Sequence, residues 1–231
     1  MSPEMLILAA LCIPLLIAAG IAAAGSFPNI RESVTLVGSV ILLGVVIALS
    51  VAVSNGESPS LDLGAAAPGL SFAFKLEPLG ALFALVASGL WIVNSFYSIG
   101  YMRGNRERNQ TRFYICFALA IFGAIGVAMS GNLFTLFVFY EVLTLSTYPL
   151  VAHKGDAAAK RGGRIYLLTL LGTSIGLFLT ALMWTWTLAG QNLDFVPGGL
   201  LAGVDISPAV STALLLLFAF GIGKAALMPV H

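Results

Sequence analysis

The sequence predicts an all-α integral membrane protein of about seven transmembrane helices, and three observations carry that prediction. Of 231 residues, 59% are hydrophobic and 9% charged, roughly a third of the charge in an average soluble domain. Apolar runs of about 20 residues, the length that spans a bilayer, recur along the whole chain. Lys and Arg fall almost entirely in alternate connections between those runs, the signature of a multi-pass topology. Seven spans need ~140 residues, and the apolar content of the chain is close to that. A soluble globular protein is excluded, and so is a disulfide-stapled secreted one. Cys12 and Cys116 both sit inside apolar runs and read as small apolar side chains. A net charge of +1 without a basic block leaves no basis for nucleic acid as a partner; the lipid bilayer is the partner the composition demands.

The first run, at about 4–24, is preceded by Glu4 but by no Lys or Arg. It lacks the basic flank of a signal peptide and reads as a retained first helix. Runs at about 32–54 and 77–99 follow, joined by a stretch at about 55–75 that is rich in Gly, Pro, Ser and Asp and reads as a loop. Glu77, just before Pro78, suits the start of the third helix, where a carboxylate meets the dipole. The fourth and fifth runs, at about 113–130 and 132–152, meet at Ser130-Gly131-Asn132, a tight-turn sequence. His153 and Lys154 close the fifth at its C-terminal dipole. The sixth run, at about 164–190, and the seventh, at about 207–229, are joined by a second loop-like stretch at about 191–206. Residues 1–231 read as a single transmembrane domain.

Eleven Lys and Arg residues fix the orientation. Arg31 falls in the first connection. Arg103, Arg106, Arg108 and Arg112 fall in the third, and Lys154, Lys160, Arg161 and Arg164 in the fifth. Lys75 stands alone on the opposite side, and Lys224 lies inside the seventh run. The positive-inside rule therefore puts connections one, three and five in the cytoplasm and the N-terminus outside, in a multi-pass protein of the cell membrane.

Two ionisable residues lie within the apolar runs, where each costs roughly 2.5–3.5 kcal/mol on insertion scales. Glu141 is nine residues from Asn132, about 13 Å along the fifth helix, near the centre of the bilayer. Thr144 and Tyr148 share its face at i+3 and i+7. Such a polar stripe marks an ion path, or else a neutral carboxylic acid that donates a hydrogen bond between helices. Lys224 sits in Gly221-Ile222-Gly223-Lys224, five residues before Pro229. The proline predicts a break beside the lysine, with the two glycines loosening the preceding turn, a recurrent arrangement at transporter ion sites. The other reading is that Lys224 snorkels toward the membrane surface. In the sixth run, Tyr166, Thr169, Thr173, Gly176 and Thr180 fall along one face. Small and hydroxyl residues at this spacing pack helices together or organise water for proton transfer. Gly123, Gly126 and Ser130 of the fourth run read as packing residues in the same way. There is no metal-ligand spacing, phosphate loop, nucleophile motif or dinucleotide fingerprint. The expectation is a chain with no cofactor and no catalytic site of its own.

Four stretches carry a family resemblance. They are Tyr97-Ser98-Ile99-Gly100-Tyr101-Met102; Ser130-Gly131-Asn132-Leu133 through Tyr140-Glu141; Leu145-Ser146-Thr147-Tyr148-Pro149-Leu150; and Phe218-Ala219-Phe220-Gly221-Ile222-Gly223-Lys224 through Met228-Pro229-Val230-His231. From about residue 76 onward the chain resembles the antiporter-like membrane subunits shared by multisubunit monovalent cation/proton antiporters, respiratory complex I and membrane-bound hydrogenases. The wording of Tyr148–Lys154 leans toward the D-type antiporter subunit. The resemblance implies that Glu141 and Lys224 form the interacting pair of a proton half-channel, with Thr144, Tyr148, Thr169, Thr173 and His231 as pathway or packing residues. It also implies that the chain works beside other membrane subunits, moving protons, with sodium or potassium as candidate exchanged cations. In a redox-driven relative such as NADH:quinone oxidoreductase, flavin and iron–sulfur chemistry would sit on partners. Family members have about fourteen helices built around two inverted repeats, and this sequence matches the N-terminal half. A truncated, purely structural subunit without transport is the competing expectation.

Overall fold

The computed structural model describes residues 2–67 and 69–225. Six of its helices are long and apolar enough to cross a membrane, and a shorter apolar helix follows. Helices α1 (Pro3–Ala23), α2 (Pro28–Ser54), α3 (Pro78–Gly104) and α4 (Gln110–Ala128) form one packed group. Its core includes Ile7, Ile21, Leu42, Leu49, Trp91 and Ile125. Helix α5 (Leu133–Val151) packs on α4, and its far side receives α6 (Ala157–Thr173), α7 (Leu179–Leu188) and α8 (Pro208–Gly221) around a smaller core of Leu133, Tyr140, Phe178, Leu182 and Leu193. Large apolar side chains such as Leu16, Leu79 and Leu168 are exposed on the outside, as expected of surfaces that meet lipid. Both cysteines are free.

The connections segregate by charge. At one end, Thr111 donates to the Gly25 carbonyl and Arg112 to the carbonyl of His153, so the first, third and fifth connections lie together. At the opposite end the connections after α2, α4 and α7 meet: Ser130 bridges Phe74, and Asn132 bridges Asp194.

Three features differ from the sequence reading. Residues 60–75 hold an antiparallel hairpin, β1 (Ser60–Ala67) and β2 (Leu70–Lys75), where a loop was expected. Leu70, Phe72 and Phe74 alternate with Ser71, Ala73 and Lys75, the period-2 pattern of a half-buried strand, and Phe74 meets Phe139 edge-on at 5.5 Å. The hairpin is sewn to the α4–α5 turn by Lys75 N–H to the Met129 carbonyl and Gly131 N–H to the Ala73 carbonyl, at 2.7 and 2.8 Å. Glu77 occupies the N-cap position of α3 but makes no capping bond with its side chain; it pairs with Lys75 at 2.9 Å instead. Finally, α2 begins at Pro28 and α3 extends to Gly104, so Arg31 and Arg103 are helical residues, not loop charges.

Arg31 and Glu32 are buried at 3% and 5% exposure. Glu32 pairs with Arg31 at 3.1 Å and with Arg103 at 2.5 Å. Arg31 also donates to Gln110 at 2.9 Å and Thr111 at 3.2 Å, and lies 5.0 Å over the Tyr114 ring. Such partners offset the desolvation of a buried charge; Nη1 and Nη2 of Arg31 are bonded in this way, while its Nε is buried without a partner among the described residues. The cluster ties α2, α3 and α4 together at the basic end.

Candidate functional site

Asn132 starts α5: its side-chain carbonyl accepts from Thr135 N–H at 2.7 Å, while its amide donates to the Ser71 carbonyl at 2.9 Å. Gly126 of α4 sits against the Phe139 ring, where a Cβ would come within 1.9 Å. That close approach confirms Gly126 as a packing residue and fixes the rotation of α5. Glu141 then points both carboxylate oxygens into the interior, buried and with no hydrogen-bond partner among the described residues.

The break before Lys224 is built differently from the expectation. Helix α8 ends at Gly221, Ile222 leaves helical geometry at φ −83° and ψ 60°, and Gly223–Ala225 form one 3-10 turn. The interruption therefore precedes the lysine by two residues. Pro229 and His231 lie outside the described residues. The two glycines act through close approach. A Cβ at Gly221 would lie 2.6 Å from the Phe178 backbone nitrogen, and one at Gly223 would lie 2.4 Å from Thr173 Oγ1.

What they approach is a second irregularity. Between α6 and α7, residues Ser174–Phe178 form a π turn. The turn inserts an extra residue into the helical repeat, a feature often found at functional sites. Thr173 Oγ1 donates into the same region, to the carbonyls of Thr169 and Leu170 at 3.0 Å each. The π turn also ends the stripe read from the sequence. Thr173 is buried, but Gly176 and Thr180 are exposed, and Phe178, Leu182 and Thr185 continue the buried face in their place.

Lys224 is turned inward. Its backbone N–H donates to the Tyr140 hydroxyl at 3.0 Å, its ammonium donates to the Tyr140 carbonyl, and Nζ lies 3.7 Å from the centre of the Tyr140 ring. Snorkelling toward the surface is not what the chain does. Tyr140 is in turn held edge-on by Phe178 at 5.7 Å, and Phe137 and Phe218 flank the Phe178 ring. Lys224 is thus seated on the residue next to Glu141 and makes no ion pair with Glu141 within 4 Å. The sequence reading quoted Tyr140 only as part of a motif. Its signal there was an aromatic immediately before a membrane carboxylate, which specifies no contact.

The remaining candidates extend toward the basic end. Thr144 is fully buried, and its hydroxyl donates to the same Tyr140 carbonyl at 3.0 Å. Thr147 and Tyr166 share a hydroxyl–hydroxyl bond of 2.8 Å between α5 and α6. Tyr148 packs over Gly163, and Thr169 enters through its backbone carbonyl. Past the helix end, His153 packs its ring against Phe113 at 5.6 Å, with both ring nitrogens buried and unpartnered among the described residues.

Residues 66–114 match the family described as NADH-ubiquinone oxidoreductase (complex I), chain 5 N-terminus, and residues 130–231 match the one described as NADH:quinone oxidoreductase/Mrp antiporter, transmembrane region. The chain belongs to the antiporter-like membrane subunit family. NADH-quinone oxidoreductase subunit N of Desulforudis audaxviator is 31% identical over 209 residues, covering 89% of this chain and 41% of the relative. A Na(+)/H(+) antiporter subunit A1 of Staphylococcus haemolyticus is 29% identical over 169 residues, covering 71% of this chain and 20% of that one. In the solved Mrp complex from Dietzia, one chain superposes on all of this chain and on 42% of its own length, with a TM-score of 0.80 at 24% identity. This family member therefore spans less than half the length of the relatives it matches.

Proposed function

We propose that the chain is a proton-translocating subunit of a multisubunit complex in an energy-transducing cell membrane. Within the family, we assign it to the monovalent cation/proton antiporters, D-like in the wording of Tyr148–Lys154. The observation that carries the proposal is the seat of Lys224: an ammonium held inside the bilayer on Tyr140, one residue from an unpartnered Glu141. Two ionisable groups that are close but unpaired can change their separation when either changes charge. An opposite charge within ~4–6 Å favours the charged form of each, and burial disfavours it, so a small movement of Lys224 off Tyr140 alters the proton affinity of both. Thr144, the Thr147–Tyr166 pair, Tyr148 and His153 supply hydroxyl and imidazole groups from Glu141 toward the basic end, about 15 Å of helical rise from residue 141 to the end of α5 at Val151, with His153 in the turn just beyond. They support a half-channel opening on that side.

The test is cation-coupled proton flux in vesicles carrying the assembled complex. Glu141→Gln and Lys224→Ala should each abolish flux while the complex still assembles. Wild-type flux in both variants would overturn the proposal and leave a structural subunit. The relation to an NADH-quinone oxidoreductase subunit favours a second reading, a proton-pumping subunit of a redox-driven complex. Purification of the chain in mild detergent separates the two: small antiporter-type membrane proteins should accompany an antiporter subunit, and flavin- or iron–sulfur-bearing proteins a redox-driven one.

A further inference from the structure

Helices α1 and α2 enclose a groove of about 610 Å³ on the outer face of the bundle, away from Glu141 and Lys224. Its walls are apolar: Leu16, Ile17, Ile30, Val34, Val37 and Ile41. Its head is polar, formed by Asn29 and Ser33. At its floor, a Cβ on Gly38 would fall 2.4 Å from Ile17, so the two helices are already in full contact there and the groove is preformed. From Asn29 to Ile41 it runs about 18 Å along α2, close to the ~15 Å depth of one leaflet. A transmembrane helix of a partner would need a groove about twice as long.

The head of the groove carries surplus positive charge. Asn29 accepts from Arg103 Nη2 at 2.6 Å, which brings the Arg31–Glu32–Arg103 cluster to the mouth. That cluster has two guanidinium groups and one carboxylate. The Arg31 side chain is 4% exposed, but that of Arg103 is 46% exposed. Arg103 commits Nε and Nη2 to Glu32 and Asn29, while its Nη1 makes no hydrogen bond among the described residues. Arg106 and Arg108 follow in the adjoining turn with only Glu107 between them. An apolar slot one leaflet deep, capped by an exposed guanidinium with a free donor, matches an acyl chain that carries an anionic phosphate. Basic pockets between transmembrane helices at the cytoplasmic side hold such headgroups.

We infer that the α1–α2 groove binds one anionic phospholipid from the leaflet at the basic end, with an acyl chain along Ile30–Ile41 and its phosphate on Arg103. The full chain in its complex should be stripped of lipid in detergent, then titrated with phosphatidylglycerol or phosphatidylcholine of matched acyl chains. Native mass spectrometry then counts the lipids retained. Wild type should retain one phosphatidylglycerol with about a fivefold preference over phosphatidylcholine, the value of one Arg near an anionic headgroup. Val37→Trp, which fills the slot from an exposed position, should lose that lipid, whereas Val93→Trp on the exposed face of α3 should keep it. Arg103→Gln should bind both lipids alike. Equal retention by wild type and Val37→Trp would overturn the inference, as would the absence of headgroup preference in wild type. Cross-linking of a Val37→Cys variant to another subunit in the complex would also overturn it, by giving the groove to a protein.

Discussion

This chain holds two ionic sites, and their construction is opposite. At the basic end, Glu32 has a guanidinium on either side and Arg31 has Gln110, Thr111 and the Tyr114 ring as further partners. In the bilayer interior, Glu141 has no hydrogen-bond partner among the described residues, and Lys224 rests on a backbone carbonyl and a ring instead of a carboxylate. The difference teaches what each can do. A cluster with several charged and polar partners holds α2, α3 and α4 in place. A sparsely partnered pair beside two irregular segments, a π turn and a helix break, is less tightly held, as the proposed proton transfer requires. The packing follows the same division: the paired site lies against the large core of α1–α4, the unpaired one against the small core around Phe178.

The most damaging way to break the comparison is to separate the helix break from the π turn. Gly221→Ala places a methyl group 2.6 Å from the Phe178 nitrogen, a backbone atom that has no rotamer to yield. We expect a loss of about 3 kcal/mol, the upper end of the overpacking range, read as a lowered thermal midpoint in detergent and as loss of flux. Gly223→Ala should cost less, because the obstacle is the Thr173 hydroxyl. Adding Thr173→Ala should then recover part of the loss, a coupling that a double-mutant cycle measures. Additive effects would mean that the segments do not touch in the membrane.

Next in size is a pair of like substitutions at unlike sites. Glu32→Gln leaves two guanidinium groups facing each other without a counter-charge. We expect a cost of about 2–3 kcal/mol, below the usual 3–5 for a broken buried pair, because Arg103 is half open to solvent. Glu141→Gln keeps the shape and removes an unpaired acid, so stability should stay within about 0.5 kcal/mol of wild type while flux disappears. Thermal melting and flux assays on both variants would read out the crossed pattern. Equal melting losses would erase the distinction between a locked site and a mobile one.

How much of this was legible in the sequence depends on periodicity. The long apolar runs, the alternation of basic connections, and the intramembrane Glu141 and Lys224 are all visible because each departs from a simple background. The hairpin was hidden by its Gly, Pro, Ser and Asp content, although Leu70-Ser71-Phe72-Ala73-Phe74 carries the alternation that betrays a strand. Arg31 and Arg103 were read as loop charges because they stand at the ends of apolar runs; the burial of Arg31 depends on Glu32 beside it on α2 and on Gln110 and Thr111 arriving from α4, with Arg103 of α3 as the second partner of Glu32. Gly221 and Gly223 were recognised, but as flexible points; that they are contact points depends on Phe178 and Thr173, 43 and 50 residues earlier in the chain. The seat of Lys224 on Tyr140 is likewise a long-range contact that spacing does not encode.

A smaller effect tests that seat. Tyr140→Phe removes the hydroxyl that accepts from Lys224 N–H but keeps the ring and the carbonyl that hold the ammonium. The expected cost is about 1 kcal/mol, that of one hydrogen bond, with flux reduced but not abolished. Tyr140→Leu, which also deletes the ring, should reduce flux further. If Tyr140→Phe alone matched Lys224→Ala, the hydroxyl would be part of the proton path and not only a support.

The smallest expected effect lies where the π turn overrides the helical repeat. A regular helix would align Gly176 with Thr169 and Thr173 in a packed stripe, and Gly176→Leu would then disrupt the bundle. The π turn rotates Gly176 outward, and a Cβ there meets nothing within 4 Å. Gly176→Leu should therefore change the stability of the isolated chain by no more than about 0.5 kcal/mol, whereas Ala181→Leu, on the buried face that replaces it, should cost about 1–3 kcal/mol by overpacking. Melting of the two variants in detergent distinguishes the two repeats directly: a severe loss at Gly176 with none at Ala181 would mean that the helix runs through without the π turn. The same Gly176→Leu variant also reports on the complex, because a side chain with open space around it among the described residues can block assembly only if a helix from outside them occupies that space.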